Sequence, residues 1–145
     1  MTPYWTSPDG RHVIYCGDAL AVLATLPDCS VQCCVTSPPY WGLRDYGVAG
    51  QLGLESTPAE YVEKMVAVFR EVRRVLRDDG TLFLNLGDSY VGSANAGGEE
   101  TRTCNSPPNA KDRNLPTKRG TGLKPKDLVG IPWMVAFALR SDGWY

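Results

Sequence analysis

Apolar positions along the chain fall into short continuous runs and helical stripes, separated by polar turns. His12-Val13-Ile14-Tyr15 reads as a strand. Gly17-Asp18 follows, and Leu20, Leu23 and Leu26 then recur at helical spacing. That pattern predicts a short helix over 19–26, with Asp18 as its N-cap and Pro27-Asp28 as its stop. Val31-Gln32-Cys33-Cys34-Val35 is a second strand, and its lack of alternation predicts burial on both faces, as in a parallel sheet. Thr57-Pro58-Ala59-Glu60 has the form of a capping box with proline at the first helical position. The helix it opens is expected to reach about Arg77, with Val62, Val66, Phe69, Val72 and Leu76 as its apolar stripe. Asp79-Gly80 turns the chain into a third strand, 81–86. Strand, helix, strand, helix, strand predicts an α/β fold with a parallel sheet, right-handed crossovers and flanking helices.

Between these elements the pattern changes. A polar, glycine-containing loop spans Trp41 to Ser56. From about residue 88 to 124 the chain is rich in Gly, Asn, Pro and charge, which predicts a long mobile loop. The stretch from Lys126 to Arg140 is apolar again and helical in pattern, and Pro132 predicts a break or a fresh helix start within it. Asp142-Gly143 makes a turn, and Trp144-Tyr145 looks like the start of another strand.

The 145 residues are enough for one domain with a real core, and 43% hydrophobic content is ordinary for a globular chain. The net charge of −1 carries no global signature of nucleic-acid binding. The distribution is less even. Between Glu99 and Lys126, seven basic residues face three acidic ones, a local excess of +4 that leaves −5 elsewhere. Lys118 and Arg119 in this segment, together with Arg44, are candidates for phosphate contacts, which need cations but no sequence reading. A solvated charged loop accounts for the same residues equally well. The five cysteines form no Cys-x-x-Cys pair and only His12 is available to join them, so neither a disulfide framework nor a metal site is expected. Cysteines in or beside strands are read instead as small buried hydrophobes, and a reducing cytoplasm fits them. The amino-terminal residues do not form a signal peptide, and no apolar run is long enough to span a membrane.

The most informative segment is Val35-Thr36-Ser37-Pro38-Pro39-Tyr40, where a strand runs directly into a hydroxyl, two prolines and an aromatic. Each proline holds its predecessor extended and lacks an N–H. The result is a stiff turn that offers carbonyls, a hydroxyl and an aromatic face. Those groups suit a flat ligand with an amino substituent: the oxygens accept from the NH2 and the ring stacks on the plane. Ser37, Pro38, Pro39 and Tyr40 are therefore the candidate site. Ligands of open parallel sheets sit at the carboxyl ends of strands, so one cleft is expected to gather Asp18, Ser37 and Asp88.

This segment resembles motif IV of the DNA amino-methyltransferases, which methylate an exocyclic nitrogen of a base. The Thr-Ser-Pro-Pro-Tyr form is most typical of cytosine-N4 enzymes, whereas adenine-N6 enzymes more often begin with Asp or Asn. The continuation Trp41-Gly42-Leu43-Arg44-Asp45-Tyr46-Gly47 is similar to that of bacterial and phage members. The resemblance implies a Rossmann-like methyltransferase sheet, S-adenosylmethionine as cofactor, double-stranded DNA as substrate and, in some systems, a cognate restriction enzyme. It implies that Ser37 and Pro38 accept from the target amine and that Tyr40 stacks on a base flipped from the duplex; core packing is the alternative for Tyr40. It places Asp18 near the cofactor, a role that can coexist with helix capping. The strand and turn from Gly80 to Asp88 resemble the family's next strand, which supports the pocket floor.

The family's glycine-rich cofactor loop, of the form Asp-Pro-Phe-x-Gly-x-Gly, has no counterpart here: Gly87, Gly92 and Gly97 do not follow it. Motif order matches the permuted members, in which that loop lies near the C-terminus. Residues 1–145 are accordingly expected to be a partial catalytic domain, truncated at the C-terminus and inactive alone. Adenine-N6 methylation, methylation of RNA or a protein amide, and a non-catalytic nucleic-acid-binding fragment are the alternatives.

Overall fold

The computed structural model describes residues 2–91 and 121–145. The chain opens with a small antiparallel ribbon, β1 (Trp5–Thr6) with β2 (Val13–Ile14), in which Trp5 pairs with Ile14 and Thr6 with Val13. The five-residue helix α1 (Ala19–Leu23) follows. Asp18 caps it as expected, its Oδ1 accepting from the Ala21 amide at 3.0 Å. The helix stops three residues before Leu26 and tightens into a final turn, with Thr25 N–H on the Val22 carbonyl at 3.0 Å and Leu26 N–H on that of Leu23 at 2.9 Å.

β3 (Val31–Thr36), α2 (Pro58–Val75) and β4 (Leu76–Leu84) form the centre of the molecule. β3 and β4 are parallel, with Cys33 opposite Thr81, Cys34 opposite Leu82, Val35 opposite Phe83 and Thr36 opposite Leu84. The register slips near the start of the pair: Val31 faces Leu76, so residues 77–80 bulge out before regular pairing begins. The strand from His12 to Tyr15 does not join this sheet. Its two paired residues belong to the separate ribbon, and the parallel sheet among the described residues has two strands. The parallel crossover is present; the full Rossmann sheet is not.

Among the described residues, only one face of that sheet is covered. Cys34, Leu82 and Leu84 point toward the helices and pack on the core, whereas Val35 (77% exposed) and Phe83 (59%) face outward. Burial on both faces is therefore corrected: the described helices cover one face, and the alternating pleat leaves the other open. The cysteines are corrected with it. Cys16, Cys29 and Cys33 are exposed and Cys34 is half-buried, all of them free thiols. Burial, with a smaller contribution from Cys33, pushes the Cys34 thiol above the ordinary range.

Helix α2 begins at the Thr57 cap, whose Oγ1 accepts from the Glu60 amide at 3.2 Å. Glu60 reaches back to the Ser56 amide (3.0 Å), one residue before the cap, so the box closes on the preceding N–H. The helix ends at Val75, two residues early, because Leu76 is already extended (ψ 144). Its buried stripe is Tyr61, Met65, Phe69, Val72 and Val75, with Leu76 following; Val62 and Val66 flank it half-buried. The core closes with Trp41, Val91, Val129 and one side of α3 (Ile131–Ser141).

Pro132 sits in the first turn of α3 and opens the helix. Before it, residues 126–129 run antiparallel to 89–91: Val91 N–H meets the Asp127 carbonyl at 2.9 Å and Val129 N–H that of Ser89 at 2.9 Å. The edges of the expected 88–124 loop are thus built into the core, while residues 92–120 lie outside the described residues. At the other end of α3, Gly143 (φ 103) bonds to the Arg140 carbonyl and Trp144 to that of Leu139, both at 3.1 Å. This is a Schellman ending that forms the expected Asp142-Gly143 turn, and Trp144 beyond it packs on the core. Arg70 of α2 then clamps Asp142, Nε to Oδ1 at 2.7 Å, and Arg73 donates to the Asp142 carbonyl at 2.9 Å.

Candidate active site

The Ser37-Pro38-Pro39-Tyr40 turn leaves the carboxyl end of β3. Ser37 is exposed; Pro38, Pro39 and Tyr40 are half-buried. Ser37, Pro38 and Tyr40 line a shallow depression of about 250 Å³ together with Leu43, Arg44 and Tyr46. A hydroxyl, an aromatic ring and a guanidinium thus converge at a strand end. A larger trough of about 640 Å³ lies between β4 and α3 and shares no residue with the turn.

Three contacts hold the turn from behind. The Tyr61 hydroxyl, on the first turn of α2, donates to the Pro39 carbonyl at 2.9 Å. Gly87, just past β4, lies against the Tyr40 ring: a Cβ at 87 would stand 2.6 Å from Tyr40 Cδ2 and 2.8 Å from Cε2. Gly53 (φ +97) approaches the Tyr40 carbonyl so closely that a Cβ would lie 2.9 Å from it. Only glycine combines that φ with that approach. The loop 41–56 is stitched to the same frame, with Gly42 N–H on the Gly53 carbonyl at 2.8 Å and the Trp41 indole N–H on the Glu55 carbonyl at 2.9 Å. The Glu55 carboxylate is buried; it accepts from Gly53 N–H at 2.8 Å and pairs with Lys64 Nζ at 3.1 Å. The Gln51 side chain accepts from the Tyr46 amide (2.7 Å) and donates to the Arg44 carbonyl (3.0 Å), which fixes the rim of the depression.

Tyr61 is fully buried. Burial first, and then the nearby Glu55 and Tyr40, push its phenol far above the ordinary tyrosine range, so it remains a donor.

The other sequence-derived candidates lie elsewhere. Asp18 is exposed and uses its carboxylate as the α1 cap, away from the depression. Asp88 is committed as well: Oδ1 accepts from Ser89 N–H (2.8 Å) and Ile131 N–H (3.1 Å), and both oxygens lie 3.0 Å from Gly130 N. It fastens the end of β4 to the amino terminus of α3. The depression takes in Ser37 but neither Asp18 nor Asp88, whose carboxylates hold the starts of α1 and α3. Arg44 lies at the rim; Lys118 and Arg119 lie outside the described residues. Sequence reasoning missed Tyr61 and Glu55. The spacing of Tyr61, Met65 and Phe69 by fours was a signal for the first, and nothing local announced the second.

A parallel strand ending in a Ser-Pro-Pro-Tyr turn, with a β-strand neighbour supporting the aromatic, defines an α/β domain built to present acceptors and a ring at a strand end. Residues 31–145 match the family model described as DNA methylase, for N6 and N4 enzymes, and the chain belongs to that family. It is similar to the type II methyltransferase M.XycI of Xanthomonas campestris pv. cyanopsidis, 57% identical over 89% of this chain and 42% of the relative. It is likewise similar to M.Cfr9I of Citrobacter freundii, 51% identical over 89% of this chain and 42% of the relative. With M.SmaI of Serratia marcescens it shares 48% identity over 91% of this chain and 44% of the relative. The chain thus spans somewhat under half the length of these relatives. No helix among the described residues is long and apolar enough to cross a membrane.

Proposed function

We propose that this chain forms the target-base half of a DNA methyltransferase active site, acting on the exocyclic amino group of cytosine N4 in double-stranded DNA. The observation that carries it is the Ser37-Pro38-Pro39-Tyr40 turn, at the end of a parallel strand and open to a depression of about 250 Å³. An exocyclic amine is a weak nucleophile because its lone pair is delocalised into the ring. Acceptors that engage both N–H bonds favour a pyramidal nitrogen and aim the lone pair. Ser37 Oγ and the Pro38 carbonyl serve as those acceptors, and alignment supplies much of the acceleration. Tyr40 stacks on the extruded base. Arg44 at the rim suits a phosphate beside the flipped nucleotide, and Lys118 and Arg119 are proposed for the same backbone.

S-adenosylmethionine is the methyl donor in this reading. The described residues do not by themselves make a site for it: Asp18, its candidate ligand, stands exposed with one oxygen on the α1 cap, which leaves the other free for that role, and residues 1–145 carry no Asp-Pro-Phe-x-Gly-x-Gly loop. What this chain contributes is the holding and orientation of the amine. Serine ahead of the prolines favours cytosine N4; adenine N6 is the second reading, since the same acceptors suit its amine. A cognate restriction enzyme and a cytoplasmic setting follow from this reading.

Variants of the turn, made in the complete open reading frame that contains this chain, test it. Ser37→Ala removes one acceptor from a nitrogen that gains positive charge, at about 1.5–3 kcal/mol, so methylation slows about 10- to 100-fold. Tyr40→Ala loses a stacking platform and weakens hold on the extruded base by a similar factor. Duplex binding by gel shift is retained in both. Undiminished methylation in both variants would refute the assignment.

A further inference from the structure

We propose that Tyr61 is a positioning residue for the Ser-Pro-Pro-Tyr turn. Its phenol captures the Pro39 carbonyl and so leaves the Pro38 carbonyl and Ser37 as the acceptors that face the target amine. This rests on the reading of the turn as the target-base site, and adds a residue that touches no substrate.

The turn contains two consecutive prolines, so its backbone has few donors and a surplus of acceptors. The carbonyls of Pro38, Pro39 and Tyr40 are chemically similar, and an incoming NH2 has only two N–H bonds to place. Unless the other carbonyls are occupied, the amine has several nearly equivalent poses. The structure occupies two of them. The Pro39 carbonyl accepts from Tyr61 at 2.9 Å, and neither Pro39 nor Tyr61 lines the depression. The Tyr40 carbonyl accepts from Leu43 N–H at 3.4 Å and is walled in by Gly53. Ser37 and Pro38 remain on the open side.

Tyr61 is well placed to enforce this. It is fully buried, one turn from the Thr57 cap, on a helix whose next buried residues, Met65 and Phe69, anchor it in the core. Lys64, in the same region of α2, pairs with the buried Glu55, which in turn holds Gly53 N–H at 2.8 Å. The start of α2 is thus a rigid backing plate for both inward carbonyls. A tyrosine on a fixed helix also loses little further freedom when it makes the bond.

The sequence offers a direct probe. Pro-Tyr junctions occur twice, at Pro3-Tyr4 and Pro39-Tyr40. Labelling the proline carbonyl with carbon-13 and the tyrosine amide with nitrogen-15 therefore gives a two-peak correlation spectrum with its own reference. In Tyr61→Phe of the 145-residue chain, the Pro39-Tyr40 peak is expected to shift while Pro3-Tyr4 stays. Replacing Tyr61 by 3-fluorotyrosine keeps the shape and strengthens the donor, so the same peak moves in the opposite sense. That second variant keeps the test decisive where Tyr61→Phe folds poorly. In the complete open reading frame, Tyr61→Phe is expected to lower kcat about tenfold with KM for DNA unchanged, the loss of about one hydrogen bond's orienting effect. A purely structural role would lower the unfolding midpoint and leave the Pro39 peak and kcat of the folded fraction alone. An unmoved Pro39 peak, or an unchanged kcat despite a moved one, overturns the proposal. A complete protein that methylates nothing, with the Pro39 peak still moving, refutes the base-site reading and the catalytic role assigned to Tyr61 but leaves the hydrogen bond itself confirmed.

Discussion

At the residue scale, the segment from Ser37 to Tyr40 was legible because proline restricts the chain wherever it stands, and two in succession after a strand leave few conformations. What supports that turn was not legible. Tyr61 reaches Pro39 from 22 positions away and Gly53 reaches Tyr40 from 13; spacing by fours with Met65 and Phe69 marks Tyr61 as a core residue, but nothing local says what either one touches. Asp18 was legible as a cap, since that role is set by neighbours three residues on; its place relative to the turn depended on a strand pairing that did not occur. Tyr61 also makes the folded state sensitive to alkali. Its phenol ionises above the ordinary tyrosine range because it is buried beside Glu55 and Tyr40. The folded state therefore holds this proton more tightly than the unfolded chain does. Its contribution is complete below the unfolded value of about 10 and is lost as pH rises beyond it. Urea unfolding midpoints should fall as pH rises above about 10, the unfolded tyrosine value, in the wild type. They should fall less steeply in Tyr61→Phe; parallel slopes would show that the phenol is not linked to stability.

At the element scale, helix α2 was read with the right start and nearly the right end; Phe69, Val72 and Leu76 of the expected stripe are buried, and only in the first turns do Tyr61 and Met65 take the place of Val62 and Val66. Valines 62 and 66 satisfy the hydrophobic period as well as Tyr61 and Met65 do, and only the packing partners decide. Those partners are Trp41, Ile131 and Val135, contributed by a distant loop and a later helix. The sheet was read as buried on both faces because Val31, Cys33, Cys34 and Val35 are all apolar; the pleat nonetheless sends Val35 and Phe83 outward. A pair of truncations separates the two stripes. Met65→Ala removes a fully buried side chain and should cost about 2–5 kcal/mol, measured by urea unfolding. Val62→Ala, at a half-buried flank, should cost about 1 kcal/mol. Equal costs would place the stripe where the sequence alone put it.

At the scale of the whole molecule, α2 is the hub. Its amino end backs the Ser-Pro-Pro-Tyr turn, its middle forms the core, and its carboxyl end clamps the chain on both sides. Arg74 gathers the Leu23 and Leu26 carbonyls at 2.7 and 3.0 Å and pairs with Asp28, while Arg70 holds Asp142. The Arg70 guanidinium keeps the Asp142 carboxyl below the usual carboxylate range. The α/β class and the order of elements were legible from periodicity. The extent of the sheet was not, since strand partners are chosen by tertiary contacts that periodicity does not encode. Family membership agrees with the resemblance carried by the turn, and the relatives are more than twice as long as the matched region. We propose that this chain supplies the target-amine site of a DNA methyltransferase and that catalysis needs further residues. Nucleoside mass spectrometry tests it most directly, on host DNA after expression of residues 1–145 alone and of the complete open reading frame that contains them. N4-methylcytosine is expected with the complete frame and none with the 145-residue chain. N6-methyladenine in its place would move the assignment to the other base, and no methylated base from either would rule out a target-amine site in this chain.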